Sequence, residues 1–282
     1  MKTVRKRTSR EPFLDSETWE ARGTGAFYYN ARVPRLPAHP PRPSAAHRPR
    51  PSAARRSRPL PHSFYARKTL TVARELLGAT LARELEDGRI LRGRIVEVEA
   101  YVGEEDKACH ARAGITPRTE PLYGPPGFAY VYLTYGMHYM LNAVTEPEGH
   151  PAAVLIRAAE PLEGIEAMIA GRSARAGGAP RANGHVALHN LASGPAKLTQ
   201  AFGLDLRHNR ADLGGPTIWI EAGTPFPDAR VRTSARIGCE TARAPWDKIP
   251  WRFYVADSPF VTPGRSLRNG EGLRARDRKN SG

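Results

Sequence analysis

The sequence predicts a mixed fold of helices and strands. Between Thr69 and Leu81, the apolar residues Leu70, Ala73, Leu76 and Leu77 recur at helical spacing and share one face. From Ile90 to Tyr101 the chain alternates with the two-residue period of a strand. Tyr130 to Tyr135 and Tyr139 to Val144 are aromatic and β-branched runs separated by Gly136, which is the pattern of a hairpin.

Taken in chain order, residues 1–61 come first. They hold ten of the 26 prolines and a net charge of +10, and Pro34 to Pro61 has almost no large apolar residue. Such a stretch buries too little surface to offset its ordering entropy, so a disordered, locally polyproline-II arm is expected. An over-extended translation start is the other account of it. Phe27-Tyr28-Tyr29 is the one place suited to fold on a partner. A single folded domain is expected over 62–262, and a basic disordered tail over 263–282 with a net charge of +4. The body itself carries only +1, so the +15 of the whole chain belongs to the ends. Those ends support salt-sensitive, sequence-blind attraction to phosphates and no more.

Further along, Ala153 to Arg157 reads as a short apolar strand. Pro161 to Ile169 reads as a helix, with Glu163 and Glu166 early in it. Arg172 to Asn190 is rich in Gly, Ala, Arg and His and reads as a long loop. Gly194-Pro195-Ala196-Lys197-Leu198 opens another helix, with Ser193 as its expected cap. Pro216 to Glu221 and Arg252 to Val255 read as strands.

Composition excludes several classes. With 40% hydrophobic residues the chain builds a core. No apolar run approaches the roughly 18 residues of a membrane span, so no membrane partner is expected. Two cysteines, Cys109 and Cys239, rule out a disulfide framework and a four-cysteine zinc cage, and fit a reducing compartment. The basic Met1 to Arg7 is not followed by an apolar stretch, so no secretory signal is expected. A cytoplasmic protein follows, associated with the nucleoid if bacterial. There is no HxxxH or CxxC, no GxSxG, no Walker loop and no GxGxxG. No metal is expected.

Three segments are able to carry chemistry. In Ile95-Val96-Glu97-Val98-Glu99-Ala100-Tyr101, alternation sends Val96, Val98 and Ala100 to the core. Glu97, Glu99 and Tyr101 take the other face, where they either line a pocket or meet solvent. Glu104-Glu105-Asp106 with Cys109-His110 is either a metal site or a solvated acidic turn; the missing ligand spacing favours the turn, and adjacent Cys109 and His110 do not face each other as a nucleophile pair. Tyr130 to Tyr139 holds four tyrosines in ten residues. Tyr130 and Tyr132 share a face and Tyr135 sits at the turn, so the rings are either a core strand or a stacking platform and wedge.

Together, Arg94 to Tyr101, Asp106 to His110, Gly127 to Asn142, Leu155 to Gly164, Ser193 to Leu198, Arg236-Ile237-Gly238 and Pro250 to Val255 resemble the alkyladenine (3-methyladenine) DNA glycosylase family. The likeness spans about residues 62–262. It implies a monomeric single-domain α+β fold with a curved antiparallel sheet, flanking helices and a hairpin that enters damaged double-stranded DNA. It implies hydrolysis of the N-glycosidic bond of a flipped alkylated purine, such as 3-methyladenine, 7-methylguanine or, in some members, hypoxanthine, with no cofactor and no metal taking part. By resemblance Glu99, and not Glu97, is the general base, and Arg157 positions it. Tyr101, His110, Tyr132 and Asn142 form the base pocket. Tyr135 is the intercalating wedge, with Met137 and His138 beside it. Cys239 departs from the usual aliphatic residue, and Pro121-Leu122-Tyr123 from a Met-Phe type of sequence; neither falls on the catalytic set. No lysine lies within Arg89 to Glu105, so water is the expected nucleophile and the enzyme is monofunctional. The competing reading is a non-catalytic lesion-binding or RNA-binding protein on the same scaffold.

Overall fold

The computed structural model describes residues 58–174 and 186–262. The expectations for the N-terminal arm before residue 58, for the tail from residue 263 and for 175–185 of the long loop lie outside the described residues. Within them, eight strands form one antiparallel sheet: β1 (Thr80–Glu84), β2 (Ile90–Val102), β3 (Ala129–Thr134), β4 (His138–Val144), β5 (Ala152–Glu163), β6 (Ile218–Glu221), β7 (Val231–Ser234) and β8 (Arg252–Val255). The helices are α1 (His62–Tyr65), α2 (Thr69–Leu76), α3 (Ile165–Ala174) and α4 (Pro195–Ala201). The main sheet runs β3-β4-β5-β2-β1-β6, and β8 joins β2 to β7. The result is α+β, as the sequence predicts.

β2 organises the sheet. One edge pairs with β5 along its length. The other edge pairs first with β1 and then, at Glu97 to Glu99, with β8. The β2–β5 register shifts between Ile95 and Val98. A bulge of this kind bends the strand and breaks its alternation, and Ile95 and Val96 both pack into the core. α2 and α4 cover the sheet, with α3 against α4, around Leu76, Leu81, Ile95, Ile156, Met168 and Phe202.

Several boundaries differ from the sequence reading for physical reasons. The first long helix stops at Leu76, because Leu77 is extended and Gly78 turns the chain at φ +97°. The residues beyond form β1 instead. The buried face of α2 is Thr69, Val72, Ala73 and Leu76, and Leu70 points outward. The Ala153 to Arg157 strand extends to Glu163, where Pro161 lies opposite Gly93 and Arg92 pairs with Glu163. α3 therefore starts at Ile165 and continues to Ala174, into the expected loop. Ser193 does not cap α4. Gly194 occupies the cap position without a side-chain bond, and the Ser193 hydroxyl reaches Asn190 at 3.5 Å.

The turn after α2 packs directly against the chain leaving β6. A Cβ added at Gly223 would lie 1.9 Å from the Gly78 carbonyl oxygen, and one at Gly78 would lie 2.2 Å from the Thr224 carbonyl oxygen. Both obstacles are backbone, so neither yields without moving the ladder. Gly223→Ala is expected to lower unfolding free energy by about 1–3 kcal/mol through overpacking. Thermal and urea unfolding would check this; an unchanged midpoint would mean that the turn relaxes freely.

Candidate active site

The second face of β2 is neither apolar nor solvated. Glu97 and Glu99 are both fully buried, which excludes a solvent-facing strand. A buried carboxylate is destabilising by several kcal/mol unless it is paired and hydrogen-bonded. β5 and β8 supply the partners. Arg157 from β5 donates through Nε to Glu97 Oε1 at 3.0 Å and through Nη1 to Glu99 Oε2 at 3.1 Å. Arg252 from β8 donates through Nε to Glu97 Oε1 at 2.7 Å. The Thr262 backbone N–H donates to Glu97 Oε2 at 2.6 Å. Burial works to raise the Glu97 pKa, but Arg157 and Arg252 outweigh it and hold the carboxyl below its ordinary value. Burial works equally against the Arg157 charge, and Glu99 with Glu97 reverse that, so the guanidinium is held firmly cationic.

Glu99 is held differently. Its Oε2 also accepts from the Tyr101 hydroxyl at 2.8 Å, and its Oε1 accepts from the Ile237 backbone N–H at 2.6 Å. Those donors, with Arg157, belong to residues that line a cavity of about 350 Å³. The carboxylate thus stands just behind the cavity wall, bonded by three residues that line it.

The remaining walls come from β3, β4 and the segment after β2. His110 opens a short 3-10 turn, and its Nδ1 shares a hydrogen bond with the Tyr130 hydroxyl at 3.0 Å. The His110 and Tyr132 rings meet edge-on with centroids 4.5 Å apart. Asn142 is buried and donates through Nδ2 to the Tyr130 carbonyl at 3.0 Å. Desolvation lowers the His110 pKa to about 4, with Arg118 and Arg112 acting the same way. Burial pushes the Tyr130 hydroxyl up to about 12, and those of Tyr101 and Tyr132 upward as well. Near neutral pH the rings of Tyr101, His110, Tyr130 and Tyr132 are therefore uncharged.

At the mouth is the β3–β4 tip. The Met137 N–H donates to the Thr134 carbonyl at 3.2 Å, closing a turn through Tyr135 (φ 51°) and Gly136 (φ 67°). Two consecutive positive φ values suit the twist of a tight hairpin. Tyr135 is 85% exposed and Met137 65% exposed. His138 behaves differently: it begins β4 opposite Thr134 and is half-buried. Among the described residues no three His, Cys, Asp or Glu side chains gather as a metal site.

A family model described as methylpurine-DNA glycosylase matches residues 63–259. The chain belongs to the methylpurine-DNA glycosylase family. It is thus a DNA glycosylase, a hydrolase of N-glycosyl bonds. It is similar to a protein of Myxococcus xanthus, 46% identical over 205 residues covering 73% of this chain and 94% of that one. A protein of Methanocella arvoryzae is 48% identical over 205 residues, covering 72% and 95% respectively. A third, from Chlorobium phaeobacteroides, is 43% identical over 203 residues, covering 72% and 94%. The names of all three include the words 3-methyladenine DNA glycosylase.

In this glycosylase, Arg157, Tyr101, His110, Tyr132, Asn142 and Tyr135 line one cavity, and Glu99 lies behind its wall, bonded to Arg157. Several members of the site escaped the sequence reading. The Ile237 N–H is a backbone group with no side-chain signature. Arg252 and Thr262 reach Glu97 only because β8 pairs with β2. Asp106, weighed as part of an acidic turn, is fully buried against Arg236. Cys239, set apart from the catalytic set by sequence, lines the cavity with its thiol 3.7 Å from the Tyr101 hydroxyl.

The low His110 pKa has a measurable consequence. Folded His110 titrates near 4 and an unfolded histidine near 6.5, so between these values protons favour the unfolded chain. The stability that this ring contributes is complete above about pH 6.5 and lost as pH falls through 4. NMR titration of the glycosylase should place the His110 midpoint near pH 4, and His110→Gln should flatten the acid side of the stability curve. A midpoint at 6.5 would mean a solvated ring.

Proposed function

We propose that this glycosylase rotates an alkylated purine out of duplex DNA into the aromatic cavity. There it hydrolyses the N-glycosidic bond with a water activated by Glu99, leaving an abasic site. The observation that carries this reading is the fully buried Glu99 carboxylate, oriented by Tyr101, Arg157 and Ile237 directly behind the cavity wall.

Each part of the site has a task on this reading. A base within a duplex is out of reach, so it must be unstacked at a cost of a few kcal/mol. Tyr135 offsets that loss by filling the gap, since aromatic stacking is worth about 1–3 kcal/mol per base. Tyr101, Tyr132 and His110 hold the extruded base. Neutral rings attract a cationic purine through their π faces, and a neutral His110 adds no repulsion. That favours 3-methyladenine and 7-methylguanine, whose cationic bases are already activated as leaving groups. Hypoxanthine, being neutral, draws less from these contacts.

As the bond breaks, positive charge grows on the sugar. Glu99 stabilises that charge and takes a proton from the attacking water. Glu97 keeps this possible. Two carboxylates face two guanidinium groups, and Arg157, held by Glu97, fixes the direction of Glu99.

Single-turnover release of free base from alkylated duplex is the direct test. Glu99→Gln should lower release by about 10²–10⁴-fold with lesion binding kept. Full activity in the variant would refute the assignment. No release by either protein, with binding kept, would favour a non-catalytic lesion binder. Tyr135→Ala should weaken binding to lesion duplex more than to undamaged duplex, because the ring acts only on the flipped state. Equal losses would remove the wedge role.

A further inference from the structure

The Asp106–Arg236 pair has no part in the reaction proposed above. It is nonetheless the most enclosed ion pair among the described residues, with both side chains fully buried. Arg236 donates through Nη1 to Asp106 Oδ2 at 2.5 Å and through Nη2 to Asp106 Oδ1 at 2.8 Å. Nη1 also donates to the Ala100 carbonyl at 2.9 Å, and Nη2 to the Trp246 carbonyl at 3.2 Å. The guanidinium carbon lies 4.7 Å from the centroid of the Tyr101 ring and 5.2 Å from that of Trp251.

These contacts converge on the groups that orient Glu99. Ala100 is the β2 residue between Glu99 and Tyr101. The ring held by Arg236 is the one whose hydroxyl bonds Glu99 Oε2. The next residue in the chain is Ile237, whose N–H bonds Glu99 Oε1. Two of the three donors on the carboxylate thus belong to residues that Arg236 holds. Asp106 extends the grip to the opposite wall. Its carboxylate accepts the N–H groups of Val102 at 3.4 Å and Ala108 at 3.0 Å, and its carbonyl accepts that of Cys109 at 2.8 Å. That segment leads directly into His110.

We propose that the Asp106–Arg236 pair is a positioning device for catalysis, which fixes the angle of the Glu99 carboxylate through Tyr101 and the Ile237 amide. The inference rests on the reading of Glu99 as general base. Only a planar, permanently charged fork can bond a carboxylate bidentately, reach two carbonyls and lie against a ring at once. Lysine keeps the charge and loses that geometry. A pair that served stability alone would change the melting temperature and leave the chemical step intact.

The test uses the full chain and a 7-methylguanine duplex, with single-turnover rates followed from acid to alkaline pH. Arg236→Lys should lower base release by about 10²-fold, the scale of a small misplacement of a catalytic group. The acidic limb of the rate should move to higher pH as the carboxylate loses hydrogen-bond donors. Lesion affinity should change by no more than about threefold, because the loss falls on the chemical step. Asp106→Asn should show the same changes at about one tenth the size, since it weakens the clamp without removing the fork. It decides the matter if Arg236→Lys does not fold. Wild-type rate and pH profile in the folded variants would overturn the proposal. So would an equal fall in rate for Gly223→Ala, which loosens the turn after α2, where neither member of the pair is among the nearest neighbours. Glu99→Gln is run alongside. If it stays active, the base assignment itself fails. If it is inactive while Arg236→Lys keeps wild-type chemistry, only the positioning role fails.

Discussion

Two carboxylates two residues apart, both shut away from water, set the terms for the rest of this molecule. Neither is tolerable alone in that position. Glu97 is stabilised by Arg157, Arg252 and the Thr262 amide, and Glu99 by Arg157, Tyr101 and the Ile237 amide. Each partner arrives on a different part of the chain. β5 delivers Arg157, β8 delivers Arg252, and the segment after β7 delivers Ile237. The sheet topology, in which β2 is flanked by β5 on one edge and by β8 on the other at these very residues, brings those donors in. β2 is thus a backbone element and a charge-bearing element together.

That network separates two jobs which a single carboxylate cannot do. Glu97 holds Arg157 and is screened from the cavity. Glu99 uses the other end of the same guanidinium and stands next to the cavity. The cavity wall carries the complementary property: tyrosine hydroxyls that stay protonated and a histidine that stays neutral. On the proposed reading, an uncharged aromatic box beside the Glu99 carboxylate suits a cationic guest better than a neutral one.

Much of this is legible in the sequence, and what is not has identifiable causes. The alternation of Ile90 to Tyr101 and the tyrosine-rich hairpin reveal β2, β3 and β4, because period and composition agree there. Family likeness singles out Glu99 and Arg157, whereas alternation alone treats Glu97 and Glu99 as equals and does not reveal that both are buried. β1 is hidden because Leu76 and Leu77 continue a helical pattern until Gly78 breaks it. The full length of β5 is hidden because Pro161 suggests a boundary, whereas pairing with Gly93 and the Arg92–Glu163 contact carry the strand onward. Asp106 looks like surface because its neighbours Glu104 and Glu105 are; only the fold brings Arg236 from 130 residues away. The Ile237 amide belongs to no residue type at all, so no pattern could announce it.

The left-handed backbone at Tyr135 has a kinetic side. A side-chain-bearing residue in that conformation is strained by roughly 1–2 kcal/mol, and the neighbouring turn hydrogen bond holds it there. The ring is therefore presented before any partner arrives, and no loop must be ordered on contact. On the proposed reading of Tyr135 as a wedge, that bears on search speed: a ring fixed in advance tests a site during a brief encounter and leaves sound stacking without a loop having to refold.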